Sequence, residues 1–212
     1  MPEPFSRLPL FKERHLDLPA LEQILTSSRI QPFLERIEDL YADMDRRYET
    51  VAAQHGFICR GCEQSCCRTC FYHYTYAEYF YLRHGLKQLS SHQLADVKGA
   101  AQRIVTTPMY AEGEDPVSGA MCPLNVDGRC ILYSHRPMIC RLHGISHIMR
   151  RPDGGWVSGP GCAVFEAGAL KNKEIRLDRT PIYQQMAELE TCLRRALELS
   201  GKIRLTIAEM LI

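Results

Sequence analysis

The segment Cys59-Arg-Gly-Cys62-Glu-Gln-Ser-Cys66-Cys67-Arg-Thr-Cys70 puts five cysteines into twelve residues. Cys122, Cys130, Cys140 and Cys162 follow, so nine of the ten cysteines fall between Cys59 and Cys162. Thiolates are strong protein ligands for soft and borderline metals, and scattered core cysteines do not produce such a run. A Cys-x2-Cys loop such as Cys59/Cys62 lets both sulfurs reach one ion, at about 2.3 Å for zinc. Neighbouring side chains diverge, so Cys66 and Cys67 are expected to serve different metals, or one of them to bridge or stand in reserve. Four downstream thiolates and four of the upstream five supply two four-coordinate sites, or a cluster and a further metal. Cys70 adds a fifth upstream sulfur. All nine are candidate metal ligands. Zinc and iron both suit all-thiolate surroundings, and an iron–sulfur cluster is among the alternatives. The spacing follows neither ferredoxin run closely, which favours zinc or mononuclear iron.

Other residues near these cysteines offer further chemistry. His73 follows Cys70, and His143 follows Cys140, each at ligand spacing, and His147 comes one helical turn after His143 if that segment is helical. An imidazole would complete a Cys3His site, and a solvated or supporting histidine is the plainer reading. Arg60, Arg68, Arg129, Arg136 and Arg141 crowd the cysteines. They are expected to offset thiolate charge by donating to sulfur. The alternative is an anion clamp made by Arg136 and Arg141. Glu35, Asp39 and Asp43 repeat at four-residue spacing and read as a solvated helix face rather than an iron site. Cys192 is expected to lie in the core as a small apolar side chain. No Ser-His-Asp set, phosphate loop or metalloprotease motif is present, so no catalytic residue is assigned.

The elements that must hold these groups read as mainly helical. Residues 1–18 suggest an extended arm. Phe33, Ile37, Leu40, Tyr41, Met44, Tyr48 and Val51 predict a helix over 31–54 that Gly56 stops. It delivers the chain into the cysteine run. Thr75 to Glu78 and Ser90 to Gln93 read as capping boxes. The first opens a short helix with Tyr79, Phe80 and Leu82, ending near Gly85. The second opens a helix through Leu94, Val97, Ala101, Ile104 and Val105, closed by Pro108. Residues 108–120 read as a loop. Asp127-Gly128 and Asp153-Gly154-Gly155 predict two hairpins. Thr180-Pro181 starts a last long helix with Ile182, Met186, Leu189, Leu193 and Ala196 on its core side, stopped by Gly201. From Lys202 the signals conflict, because Ile203, Leu205 and Ile207 alternate like a strand while Thr206 to Glu209 resembles a cap. The fold class is therefore mainly α with small β-hairpins, a helical scaffold around a cysteine-rich, metal-organised loop core.

With 212 residues and an apolar fraction of 45%, the chain suits one domain, 1–212. Within it, 19–55 form an N-terminal helical segment, 56–165 the cysteine-cluster core and 180–200 a packing helix. A net charge of +1 makes nucleic acid an unlikely partner, since no basic footprint is visible. No signal-peptide pattern or membrane-spanning apolar run is present, so a cytoplasmic protein without a membrane partner is expected. In that reducing compartment ten cysteines point to metal or redox chemistry rather than disulfides. The expected partner is a metal ion, and no protein partner can be named.

Two blocks of residues also carry a family resemblance. Cys59-x2-Cys62-x3-Cys66-Cys67 resembles the Cys-x2-Cys-x2-Cys-Cys run of the YkgJ-like cysteine-cluster family, described as zinc- or iron-chelating. Cys122-Pro-Leu, Asp127-Gly-Arg-Cys130-Ile-Leu-Tyr133 and Arg136-Pro-Met-Ile-Cys140-Arg141 resemble its second block, and Cys162 its final cysteine. The resemblance covers about half the chain, in order. The chain departs from it by one extra residue before the vicinal pair, by Cys70, and by Leu-His-Gly after Arg141. The resemblance implies metal binding and no particular reaction. Flagellin lysine methylases carry a similar cluster within a larger enzyme, but no nucleotide fingerprint supports methyl transfer here. An iron–sulfur redox or enzymatic protein, a metal-dependent interaction module and a metal carrier are the alternatives.

Overall fold

The computed structural model describes residues 18–59, 66–106, 120–168 and 175–212. The expected arm over 1–18, apart from Leu18, which opens a helix, lies outside the described residues, as do Arg60, Cys62, Pro108 and most of the 108–120 loop. Four helices lead the chain: α1 (Leu18–Thr26), α2 (Gln31–Gln54), α3 (Tyr76–Gly85) and α4 (Ser91–Val105). A hairpin of β1 (Asn125–Val126) and β2 (Arg129–Cys130) precedes the short helix α5 (Met138–Leu142). Then come β3 (His147–Arg150), β4 (Trp156–Gly159), α6 (Ala163–Gly168), β5 (Leu177–Asp178), α7 (Thr180–Ala196) and α8 (Ile207–Leu211). The fold is mainly α with small β elements.

Helix α2 is the central beam. Leu34, Ile37, Leu40, Tyr41 and Met44 are buried along one stripe, while Phe33, Tyr48 and Val51 pack against its edge. Helices α3, α5 and α7 all pack against α2. Gly56, with φ of +63°, ends the helix as its sequence position predicts. On the solvent face Asp43 pairs with Arg46 and Arg47, whose hydrogen bond from Arg47 holds the carboxyl below its ordinary range despite some opposing burial. With Glu35 and Asp39 exposed beside it, that face is solvated, as expected.

The two hairpins form where their turn residues place them. Asp127 and Gly128 both take positive φ, 50° and 81°, which matches the right-handed twist of the flanking strands. Strand β3 pairs antiparallel with β4 from His147↔Gly159 to Arg150↔Trp156. It also pairs in parallel with β5, a strand that two residues of sequence gave no period to reveal. Near the C-terminus Leu205 bridges His73 in antiparallel fashion, and Thr206 caps α8 with a full capping box. The cap signal is therefore the one that holds, while the alternation of Ile203, Leu205 and Ile207 yields a single bridge at Leu205 and Ile207 joins the helix.

Three expectations are corrected. Helix α7 stops at Ala196, not near residue 200, because Glu198 turns left-handed at φ of 57° before Gly201 is reached. Leu197 is buried in place of Ala196, which is exposed. Cys192 is exposed rather than in the core. The buried stripe runs through Ile182, Met186, Leu189 and Leu193, and at about 100° per residue Cys192 falls beside it.

One buried carboxylate on α7 fixes the start of α3. Glu190 accepts from the Tyr76 and Ala77 amides at 3.1 and 3.0 Å, and its burial raises its pKa. The first amides of a helix have no partner within it, so an acceptor from a neighbouring helix replaces the missing ones. Glu190→Ala is expected to destabilise the protein by ~1–3 kcal/mol in urea denaturation, because two buried donors lose their acceptor. Glu190→Gln should lose less, since an amide oxygen still accepts.

Candidate metal centre

Eight cysteines of the two blocks line one cavity of about 1440 Å³: Cys59, Cys66, Cys67, Cys70, Cys122, Cys130, Cys140 and Cys162. Cys59 is exposed, and the other seven are partly buried. Several local devices position them. Cys66 and Cys67 lie in a single 3-10 turn, Cys66–Arg68. Cys122 opens a tight turn in which the Asn125 amide bonds back to the Cys122 carbonyl at 2.9 Å. Cys130 ends β2, and Cys140 lies within α5. Cys162 is fixed by its amide, 2.9 Å from the Gly144 carbonyl.

The upstream and downstream blocks touch directly. The Cys122 amide donates to the Cys67 carbonyl at 2.8 Å, across fifty-odd residues of chain. The electrostatic couplings separate the thiols into two neighbourhoods. Cys67 influences Cys122, Cys130 and Cys140, those three influence one another in part, and Cys70 also acts on Cys122. Cys59 and Cys162 lie beside Tyr48, whose phenol is pushed up first by burial and then by these two sulfurs. Cys66 lies between the groups, near Cys67, Cys140 and Cys59. The vicinal pair therefore does face two ways in part, although a hydrogen bond still joins Cys66 to Cys67.

Charge is costly in this pocket unless something balances it. Burial pushes the Cys122 thiol up to about 12, and raises Cys130 and Cys140 as well. Four groups oppose the shift. The Leu124 amide donates to the Cys122 sulfur and the Leu132 amide to the Cys130 sulfur, both two residues on. Arg136 favours the thiolates of Cys130 and Cys140, and Arg141 favours that of Cys130. Amides that donate to sulfur and a positive charge nearby are what a thiolate bound to a cation uses for support. A cation would favour the thiolate further and release protons on binding.

The donor chemistry therefore fits a thiophilic metal. The side chains as they lie do not close around one: among the described residues no three Cys, His, Asp or Glu groups come together tightly enough to hold an ion.

The arginines divide by role. Arg141 is buried and bound on all three nitrogens by the scaffold, donating from Nε to the Arg136 carbonyl, from one terminal nitrogen to Asp45 and from the other to the Ser134 carbonyl. These contacts give it a structural role, not that of an exposed anion clamp. Arg136 packs 3.9 Å over the Tyr133 ring and stands 3.6 Å from Asp45. Asp45 is not singled out by the sequence, while Tyr48 reads only as part of the helix stripe and Tyr133 only within the family resemblance.

The histidines also separate. His143 and His73 line the cavity, and His147 does not. His143 stacks edge-on to Phe71 at 5.7 Å, and burial lowers its pKa. His147 lies in β3, not on a helical turn from His143, with its ring packed over Gly159.

No family model, curated protein or solved structure matches the chain. Among the described residues no helix is long and apolar enough to cross a membrane.

Proposed function

We propose that the protein chelates zinc or iron through the cysteine thiolates of this cavity, with Cys67, Cys122, Cys130 and Cys140 as an inner four-sulfur set. The observation that carries the reading is the meeting of two distant cysteine blocks on one cavity, tied by the Cys122 to Cys67 backbone hydrogen bond. Cys59, Cys66 and Cys162 form the outer group, which Cys62 is positioned in sequence to join. The resemblance to the YkgJ-like cysteine-cluster family points the same way and belongs to this proposal, as does a reducing, cytoplasmic setting. When bound, the metal would supply a cross-link between the upstream and downstream cysteine blocks.

The test is elemental analysis with a visible spectrum on full-length protein purified without oxygen. About two zinc per chain and no colour, as eight thiolates allow, would make this a structural chelate. Iron with acid-labile sulfide and broad visible absorption would make it an iron–sulfur protein. Protein that carries no metal and takes up neither ion when reduced would sink the proposal.

A further inference from the structure

We propose that His73, oriented by Glu78, supplies a nitrogen ligand to the metal in the cysteine cavity, so that the centre is of mixed sulfur and nitrogen character. This inference rests on the metal-binding reading.

His73 is pinned at its backbone. Its amide donates to the Leu205 carbonyl at 2.7 Å, and its carbonyl accepts from the Leu205 amide at 3.0 Å. Its ring is pinned as well. Nδ1 stands 3.5 Å from Oε1 of Glu78, and the side chains are 1% and 5% exposed. The other ring nitrogen, Nε2, is buried and has no hydrogen-bond partner among the described residues. His73 nonetheless lines the cavity that the cysteines line. Leaving a buried polar atom unpaired costs about 1–3 kcal/mol. A residue present only to fill space would avoid that cost by being leucine or methionine.

Glu78 is no ordinary capping residue. A capping-box glutamate would turn back to the Thr75 amide. Here the Thr75 hydroxyl does accept from the Glu78 amide, but the carboxylate goes elsewhere. Oε2 accepts from the Thr75 hydroxyl at 2.7 Å, and Oε1 accepts from the Met138 amide at 3.1 Å. Met138 begins α5, which carries Cys140. One buried carboxylate thus sets the imidazole and the start of a cysteine-bearing helix together. A histidine that gives one ring N–H to a carboxylate and offers the other nitrogen to a metal is a recurrent arrangement, and the carboxylate fixes the tautomer. Glu78 is accordingly a positioning residue and His73 the ligand.

The test adds zinc alone to the reduced, metal-free full chain and follows the His73 ring nitrogens by NMR. Nε2 is expected to move to a metal-bound shift while Nδ1 stays protonated. Cobalt(II) provides a second readout. His73→Cys should move its visible bands toward those of an all-sulfur site, and Glu78→Gln should weaken zinc binding about 10–100-fold with the band pattern kept. The glutamine still offers an acceptor to Met138, so a merely structural role would leave zinc affinity unmoved. If the wild type binds zinc and the His73 ring does not respond, His73 is overturned and chelation by cysteine stands. If the wild type takes up neither zinc nor, in a parallel anaerobic titration, ferrous iron, both are overturned. The wild-type NMR arm holds even where a variant fails to fold.

Discussion

Cys140→Ser is expected to lose bound metal and folded structure together, seen as loss of stoichiometric zinc or iron and of cooperative thermal unfolding in one preparation. Cys140 lies in α5, which packs on α2, and its sulfur interacts with those of Cys67, Cys122 and Cys130. Apparent zinc-binding energies of structural sites are of order 10–16 kcal/mol at neutral pH. Whole domains are stable by only about 5–15 kcal/mol. Losing the inner set therefore outweighs what the helices can supply. Cys130→Ser should behave in the same way. Cys59→Ser should do less, because Cys59 is exposed at the outer edge of the cavity. Cys192→Ser, on the solvent side of α7, should change neither metal nor stability. This ranking separates a specific centre from a loose collection of thiols, which would lose metal in equal steps at every position. A folded and fully metallated Cys140→Ser protein would remove the inner set from consideration.

Helices were legible in the sequence where their pattern is local. The period of α2, the capping box of Ser90 and Gln93 and the Asp127-Gly128 turn each act through neighbours within a few residues. What sequence hid depends on distant partners. Glu78 carries a cap signature, yet its carboxylate is drawn away by His73 and the Met138 amide, sixty residues downstream. Burial works against a charged Glu78, but these contacts and the Thr75 hydroxyl hold its pKa below the ordinary value. Glu190 looks like one more polar helix residue, and only the approach of α3 makes it an acceptor. The cysteines themselves were legible as a set, because their number is anomalous. Their division into inner and outer groups was not, since it follows from the meeting of the Cys66–Arg68 turn with the Cys122 turn. Cys192 shows the converse error. One residue of phase on a helix moves a side chain from core to solvent, and a tolerant apolar residue gives no warning of it.

Arg141→Ala is expected to destabilise the protein by ~3 kcal/mol, toward the low end for breaking a buried ion pair because Asp45 keeps part of its exposure. The guanidinium bridges three parts of the chain. It donates to Asp45 on α2 at 2.5 Å, to the Arg136 carbonyl at 3.0 Å and to the Ser134 carbonyl, and it lies 4.2 Å over the Tyr41 ring. Removing it leaves those carbonyls without their donor and Asp45 with Arg136 alone, at 3.6 Å. Arg141→Lys should recover little, since an ammonium cannot reproduce the planar fork or its packing on an aromatic face. A double-mutant cycle with Asp45→Asn, followed by urea denaturation, isolates the ion pair from the remaining contacts. An anion clamp would show the opposite pattern, with stability unchanged and binding of small anions lost. The scaffold role also predicts a consequence one residue away. Arg141 follows Cys140 in α5, so a helix released from α2 should hold its thiolate less firmly, and zinc affinity should fall in Arg141→Ala although no ligand has been changed.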